Sequence, residues 1–185
     1  MRLDIDAPND AWIRVPADHP STGEEAEAWA DDVVAGFHRR HPDTAPDRLE
    51  AVRGLAMASL SGALPGAAAT LLYLPGPGAA GMMVGIGVSG PQKVEGSLVR
   101  ALLGDAELLG RPIVDPVEVP GLGTGISVRC LFAPAPEQRP AAGLAYLLQG
   151  ERATVRVMAS PAPQDLVAHA GPSLAKIVSS LRLVD

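Results

Sequence analysis

Four histidines and a lone cysteine are the residues in this chain best suited to metal or nucleophilic chemistry. His38 and His41 stand one helical turn apart, so both could face a single metal ion. A zinc site needs further Cys, His or carboxylate ligands at a fitting spacing. None stands there; Arg39 and Arg40 fill the interval instead. The run His38-Arg39-Arg40-His41 reads as a cationic helix end, which the helix dipole favours. His19 falls in a loop, and His169 lies beside an apolar helical stripe. Cys130 sits between Arg129 and Leu131 in a strand pattern. A reactive thiol needs a helix N-terminus or a neighbouring cation to lower its pKa, so a small buried residue is expected here. There is no G-x-S-x-G elbow to carry a serine nucleophile. Glu24-Glu25 and Asp31-Asp32 are adjacent on a helix, so their side chains diverge by about 100° and form no acid/base pair. No catalytic residue and no metal site is assigned.

Two glycine clusters invite a phosphate reading. Gly85-Ile86-Gly87-Val88-Ser89-Gly90 has the letters of the dinucleotide fingerprint, which must follow a strand and open a helix. Its glycines fall inside a strand pattern, and Pro91 stands where the helix should begin. A strand face on which a helix packs closely is the simpler account, so no cofactor is expected. Gly121-Leu122-Gly123-Thr124-Gly125 lies between two strand patterns and reads as a hairpin or bulge.

The elements that would carry these residues follow from periodicity. Residues 11–16 form a first strand, stopped by Pro16. Ser21 and Thr22 ahead of Glu24 and Glu25 have the composition of an N-cap. Ala26, Trp29, Ala30, Val33 and Phe37 then repeat at helical spacing until Pro42. A second helix opens at Pro46-Asp47, lines Leu49, Val52, Ala56 and Leu60 on one face, and ends by Pro65. Strands are expected at 69–74, 82–89, 113–119, 126–132, 142–148 and 153–159, with a short helix at 98–103. Pro116 assigns its strand to a sheet edge or a bulge. In the hairpin turning at Gln149-Gly150-Glu151-Arg152, the residues Arg152, Thr154 and Arg156 should face solvent, opposite Ala153, Val155 and Val157. The last helix carries Leu166, Ala170, Leu174, Ile177, Val178 and Leu181. Pro172 interrupts it at a cost of ~3 kcal/mol, predicting a kink or a fresh start.

The fold class expected is therefore α+β: one domain over residues 1–185, a largely antiparallel sheet flanked by two N-terminal helices and a C-terminal helix. At 185 residues and 47% hydrophobic, one core is the natural solution. A net charge of −6 with scattered Lys and Arg excludes a nucleic-acid partner. The uncharged stretch 54–92 is broken by Pro65-Gly66 and by Pro75-Gly76-Pro77-Gly78, so membrane insertion is not expected. Residues 1–6 hold no apolar run of secretory type, and one cysteine allows no internal disulfide. A cytoplasmic protein is expected.

The strand with Trp12 and Pro16 and the helix after it introduce a series of antiparallel strands. The chain then closes from Val155-Arg156-Val157-Met158-Ala159-Ser160 to Ile177-Val178-Ser179-Ser180-Leu181-Arg182. This order resembles small actinobacterial proteins of the Mog1/PsbP-like type. The resemblance implies an antiparallel sheet flanked by helices, and a binding or accessory role in a secretion or envelope assembly. The second N-terminal helix and the 3% aromatic content depart from that pattern.

The leading expectation is a non-enzymatic adaptor with a protein partner or a homo-oligomeric state. Its candidate interaction residues are Trp12, Pro75, Gly76, Pro77, Gly78, Gly121 and Gly123. The alternative is a small-molecule binder or enzyme with a pocket between sheet and helices, where Gly85, Gly87 and Gly90 give a ligand room.

Overall fold

The computed structural model describes residues 2–7, 11–16, 23–62, 66–76, 80–134 and 139–184. Its elements run β1 (Arg2–Asp4), β2 (Trp12–Val15), α1 (Gly23–Arg40), α2 (Pro46–Ser61), β3 (Ala69–Tyr73), β4 (Met82–Ser89) and α3 (Leu98–Leu103). They continue with β5 (Ile113–Val119), β6 (Gly123–Phe132), β7 (Ala141–Gln149), β8 (Thr154–Ala159), α4 (Gln164–Ser180) and β9 (Arg182–Val184). The fold is α+β. Seven strands form one antiparallel sheet in the order β2-β3-β4-β8-β7-β6-β5.

The sheet is covered on both faces, and the alternation along its strands shows it. In β3, Leu71 and Tyr73 join one apolar cluster while Leu72 joins another with α1 and α2. In β7, Leu144, Tyr146 and Leu148 face α4, whereas Ala145 and Leu147 face α3. Strands buried on both sides read as continuous apolar runs, and these two do. The expected strands and helices are all present. Pro116 lies on β5, an edge strand, where its missing N–H disrupts least.

Three expectations need correction. Thr154 is fully buried, not solvent-facing, because its hydroxyl receives the Gln92 backbone N–H at 3.0 Å. Gly87 is not packed under a helix: a Cβ there would meet open space. Pro172 starts no new helix but lies inside the single helix α4. Gly171 before it has no Cβ to strike the proline ring, which lets the backbone stay helical. The pairing of β1 with β9, Asp4 opposite Arg182, was not anticipated from two such short segments. The N-cap expected at Ser21 and Thr22, like the turn residues Pro77 and Gly78, lies outside the described residues.

The proline leaves a mark on stability. It removes the bond that residue 172 would donate to the Ala168 carbonyl, and its ring is exposed. Pro172→Ala should therefore raise the free energy of unfolding by up to about 3 kcal/mol, read from urea titration.

Candidate functional site

The sequence-derived candidates occupy different places. Trp12 is 6% exposed; its ring stacks on Tyr73 at 4.4 Å between centroids, and Nε1 donates to Ser173 Oγ at 3.1 Å. Its surface is spent on the core, not presented to a partner. Pro75 and Gly76 are half-buried beyond β3. Gly121 is exposed, and Gly123 begins β6 with a positive φ of 101°. Gly85 and Gly87 lie within β4, no helix opens after Gly90 before Ser97, and none of the three lines a described cleft.

Other reactive groups are quiet. Cys130 is 8% exposed, and burial pushes its thiol pKa up against a smaller opposing effect of a hydrogen bond with the Gly143 backbone. The His41 ring packs on Phe37 at 4.7 Å. Among the described residues, no three His, Cys, Asp or Glu side chains gather to hold a metal. Ser173 and Lys176 spell S-x-x-K, a pattern of serine hydrolases, on α4. The Ser173 hydroxyl donates to the Ala170 carbonyl at 2.9 Å and receives the Trp12 indole N–H, while Lys176 is exposed. That serine is a clamp between helix and sheet, not a nucleophile.

Two clefts remain. One of about 850 Å³ lies among the turns Pro91–Lys93, 121–124 and 149–152, and includes Gly121 and Gly123. Most of its lining residues are themselves exposed, so it is an open gap between loops. The other, about 650 Å³, is a trough between α4 and the β5–β7 side of the sheet. This second cleft has the anatomy of a ligand site: an apolar wall with a few convergent polar groups.

Its origin is legible residue by residue. The large side chains of α4, Leu166, Leu174, Ile177 and Val178, pack on the sheet centre. The flank turned toward β5 carries Ala168, Gly171, Pro172 and Ala175 at helical spacing. Short side chains on that flank leave the trough open. A Cβ on Gly171 would make only an ordinary 4.0 Å contact with Leu144, so its absence widens the trough and is not what lets the helix pack.

The floor is set by strand register. Asp115, Ser127 and Tyr146 stand directly opposite one another on β5, β6 and β7. Neighbours of that kind place their Cβ atoms about 4.5–5.5 Å apart on one face. Arg129, two residues on from Ser127, shares the face and donates from Nη2 to Asp115 Oδ2 at 3.0 Å. Ser127 and Tyr146 are 9% and 6% exposed, and neither hydroxyl hydrogen-bonds to another described residue. Burial raises the Tyr146 pKa, and the nearby Arg129 charge opposes that shift more weakly. Leu109, Arg111 and Ile113 form the outer rim.

None of these five polar residues was singled out in the sequence. The available signal was a tyrosine in the otherwise apolar run 141–148, together with polar residues at alternate positions of two strands. Comparison adds no further guide: no family model, no curated protein and no solved structure matches the chain. No described helix is long and apolar enough to cross a membrane.

Proposed function

We propose that the chain is a small-molecule-binding protein whose site is the trough between α4 and strands β5–β7. The observation that carries this is the pair of hydroxyls on the mostly buried residues Ser127 and Tyr146, which line the trough, stay open to it and have no partner among the described residues. Polar groups without a protein partner are satisfied by a ligand or by solvent, and these two reach either one only through the trough. The volume is within the roughly 300–1,000 Å³ range of ligand pockets. Binding, not turnover, is the role proposed, because Asp115, the one carboxylate lining the trough, is engaged by Arg129. A single buried cysteine suits work in the reducing cytoplasm.

The test is native mass spectrometry of protein from its own host, with Ala168→Phe as the control. Wild type should retain a small organic ligand. Ala168 is exposed on the trough wall, so Phe fills the space while stability changes by less than about 0.5 kcal/mol. The variant should carry no ligand. A wild type free of ligand in every preparation counts against the proposal.

A second reading, the adaptor expected from the resemblance, draws support from the outer edge of the same region. Leu109, just before β5, and Ile113 and Val114 at the start of that edge strand are 53%, 55% and 42% exposed, apolar side chains at a sheet edge that suit a protein partner.

A further inference from the structure

The polar side chains of the trough have a bias, and it runs against the rest of the molecule. The chain carries a net charge of −6, yet Arg111 and Arg129 face the trough with Asp115 as its one lining acid. Asp115 is already held by Arg129, through one of the five N–H donors a guanidinium offers. Further donors of Arg129 stay free to bond. Beside it stand the Ser127 and Tyr146 hydroxyls, which can donate, and the Gln164 side-chain amide lies at the rim. Leu131 and Leu144 extend the same floor as hydrocarbon, and across from it Val167, Gly171 and Pro172 of α4 form an apolar wall with no charge. A site with convergent donors on its floor, bordered there and roofed by hydrocarbon, selects an acceptor group joined to an apolar body.

Charge magnitude narrows the acceptor. Two guanidiniums against one carboxylate match a single negative charge; a phosphate dianion beside Asp115 would be left under-compensated. A cation would meet Arg129 before it met a free acid. Resting on the trough being a binding site, we propose that its ligand is a monocarboxylate with an apolar body, the carboxylate seated between Arg129 and the Ser127 and Tyr146 hydroxyls and the body lying under α4. Charge-assisted bonds to guanidinium and hydroxyl supply the selectivity, and the apolar wall supplies affinity that does not depend on charge.

The experiment is calorimetric titration of the full chain with octanoate, octan-1-ol and octylamine, three probes with one tail and different heads. Octanoate should bind at least about tenfold tighter than the alcohol, with the amine weakest. Arg129→Gln should bring octanoate down to the alcohol's affinity and leave the alcohol unchanged. Arg129 is more than half exposed, so the fold should survive. Tyr146→Phe, which removes one hydroxyl only, should cost octanoate a part of its advantage. Binding of all three probes with no preference for the acid overturns the carboxylate proposal and leaves the trough a binding site. So does a preference that survives both substitutions. If none of the probes binds, or if Ala168→Phe leaves all binding intact, the reading of the trough itself fails.

Discussion

Gly125→Ala should abolish the folded state, a loss of more than about 4 kcal/mol, although it adds a single methyl group. A Cβ on Gly125 would overlap the backbone carbonyl of Leu147, on the neighbouring strand β7. That atom cannot move alone, since β7 is the strand between β6 and β8 and is buried along almost its whole length. The same end of the sheet repeats the device twice. A Cβ on Gly123 would overlap the Gln149 carbonyl, and one on Gly150 would overlap the Leu122 carbonyl. Gly123 also holds φ at 101°, outside the range open to residues with a side chain. At three points the two backbones thus approach as closely as glycine allows, and Leu122 is buried there at 1% exposure. The comparison is Gly87→Ala, where the added carbon meets open space and stability should stay within about 1 kcal/mol of wild type. Soluble yield and urea midpoints of the two variants decide the matter. If Gly125→Ala unfolds at the wild-type midpoint, the close approach of β6 and β7 is wrong.

Those glycines mark how far the sequence could be read. The cluster at 121–125 was legible as a turn between strands, and it is one: Leu122 N–H returns to the Val119 carbonyl at 3.0 Å. What pattern could not reveal is that Gly123 and Gly125 belong to the following strand, pressed against the next one. Helices and strands were legible because 3.6- and 2-residue periods are local properties of the chain. The trough was not, because it depends on register. Asp115, Ser127 and Tyr146 are spread over 32 positions of sequence and meet only once β5, β6 and β7 align. Thr154 failed for a related reason: alternation predicts which face a residue takes, and a loop backbone from Gln92 then closes over that face. Gly85 and Gly87 lie within β4, as their strand pattern predicts, but no helix covers Gly87, because a covering element is a long-range feature that the local pattern does not encode.

Trp12→Ala should cost about 3–5 kcal/mol, the range for deleting a large aromatic from a core. Position alone would argue otherwise. β2 is an edge strand of only four residues, and a tryptophan on an edge is a natural partner anchor. The surroundings settle it: Trp12 stands in register opposite Tyr73, which is itself 3% exposed, with their rings in contact. Its indole N–H reaches Ser173 in α4, so one side chain joins the edge strand to the helix across the sheet face. Removing it opens a cavity between β2 and α4 and strips Ser173 of its donor. Trp12→Phe keeps a ring but drops the N–H, so it should fall between wild type and Ala. The hydrogen-bond part of that difference should be about 1 kcal/mol. Trp29→Phe leaves Trp12 as the only tryptophan, and its emission then reports unfolding directly. Emission from that variant at the wavelength of a buried indole, shifting red in step with global unfolding, agrees with a core role. An unchanged midpoint in Trp12→Ala would return Trp12 to the surface as an anchor. It would also break the proposed route by which α4, and with it the trough wall, is fastened to the sheet.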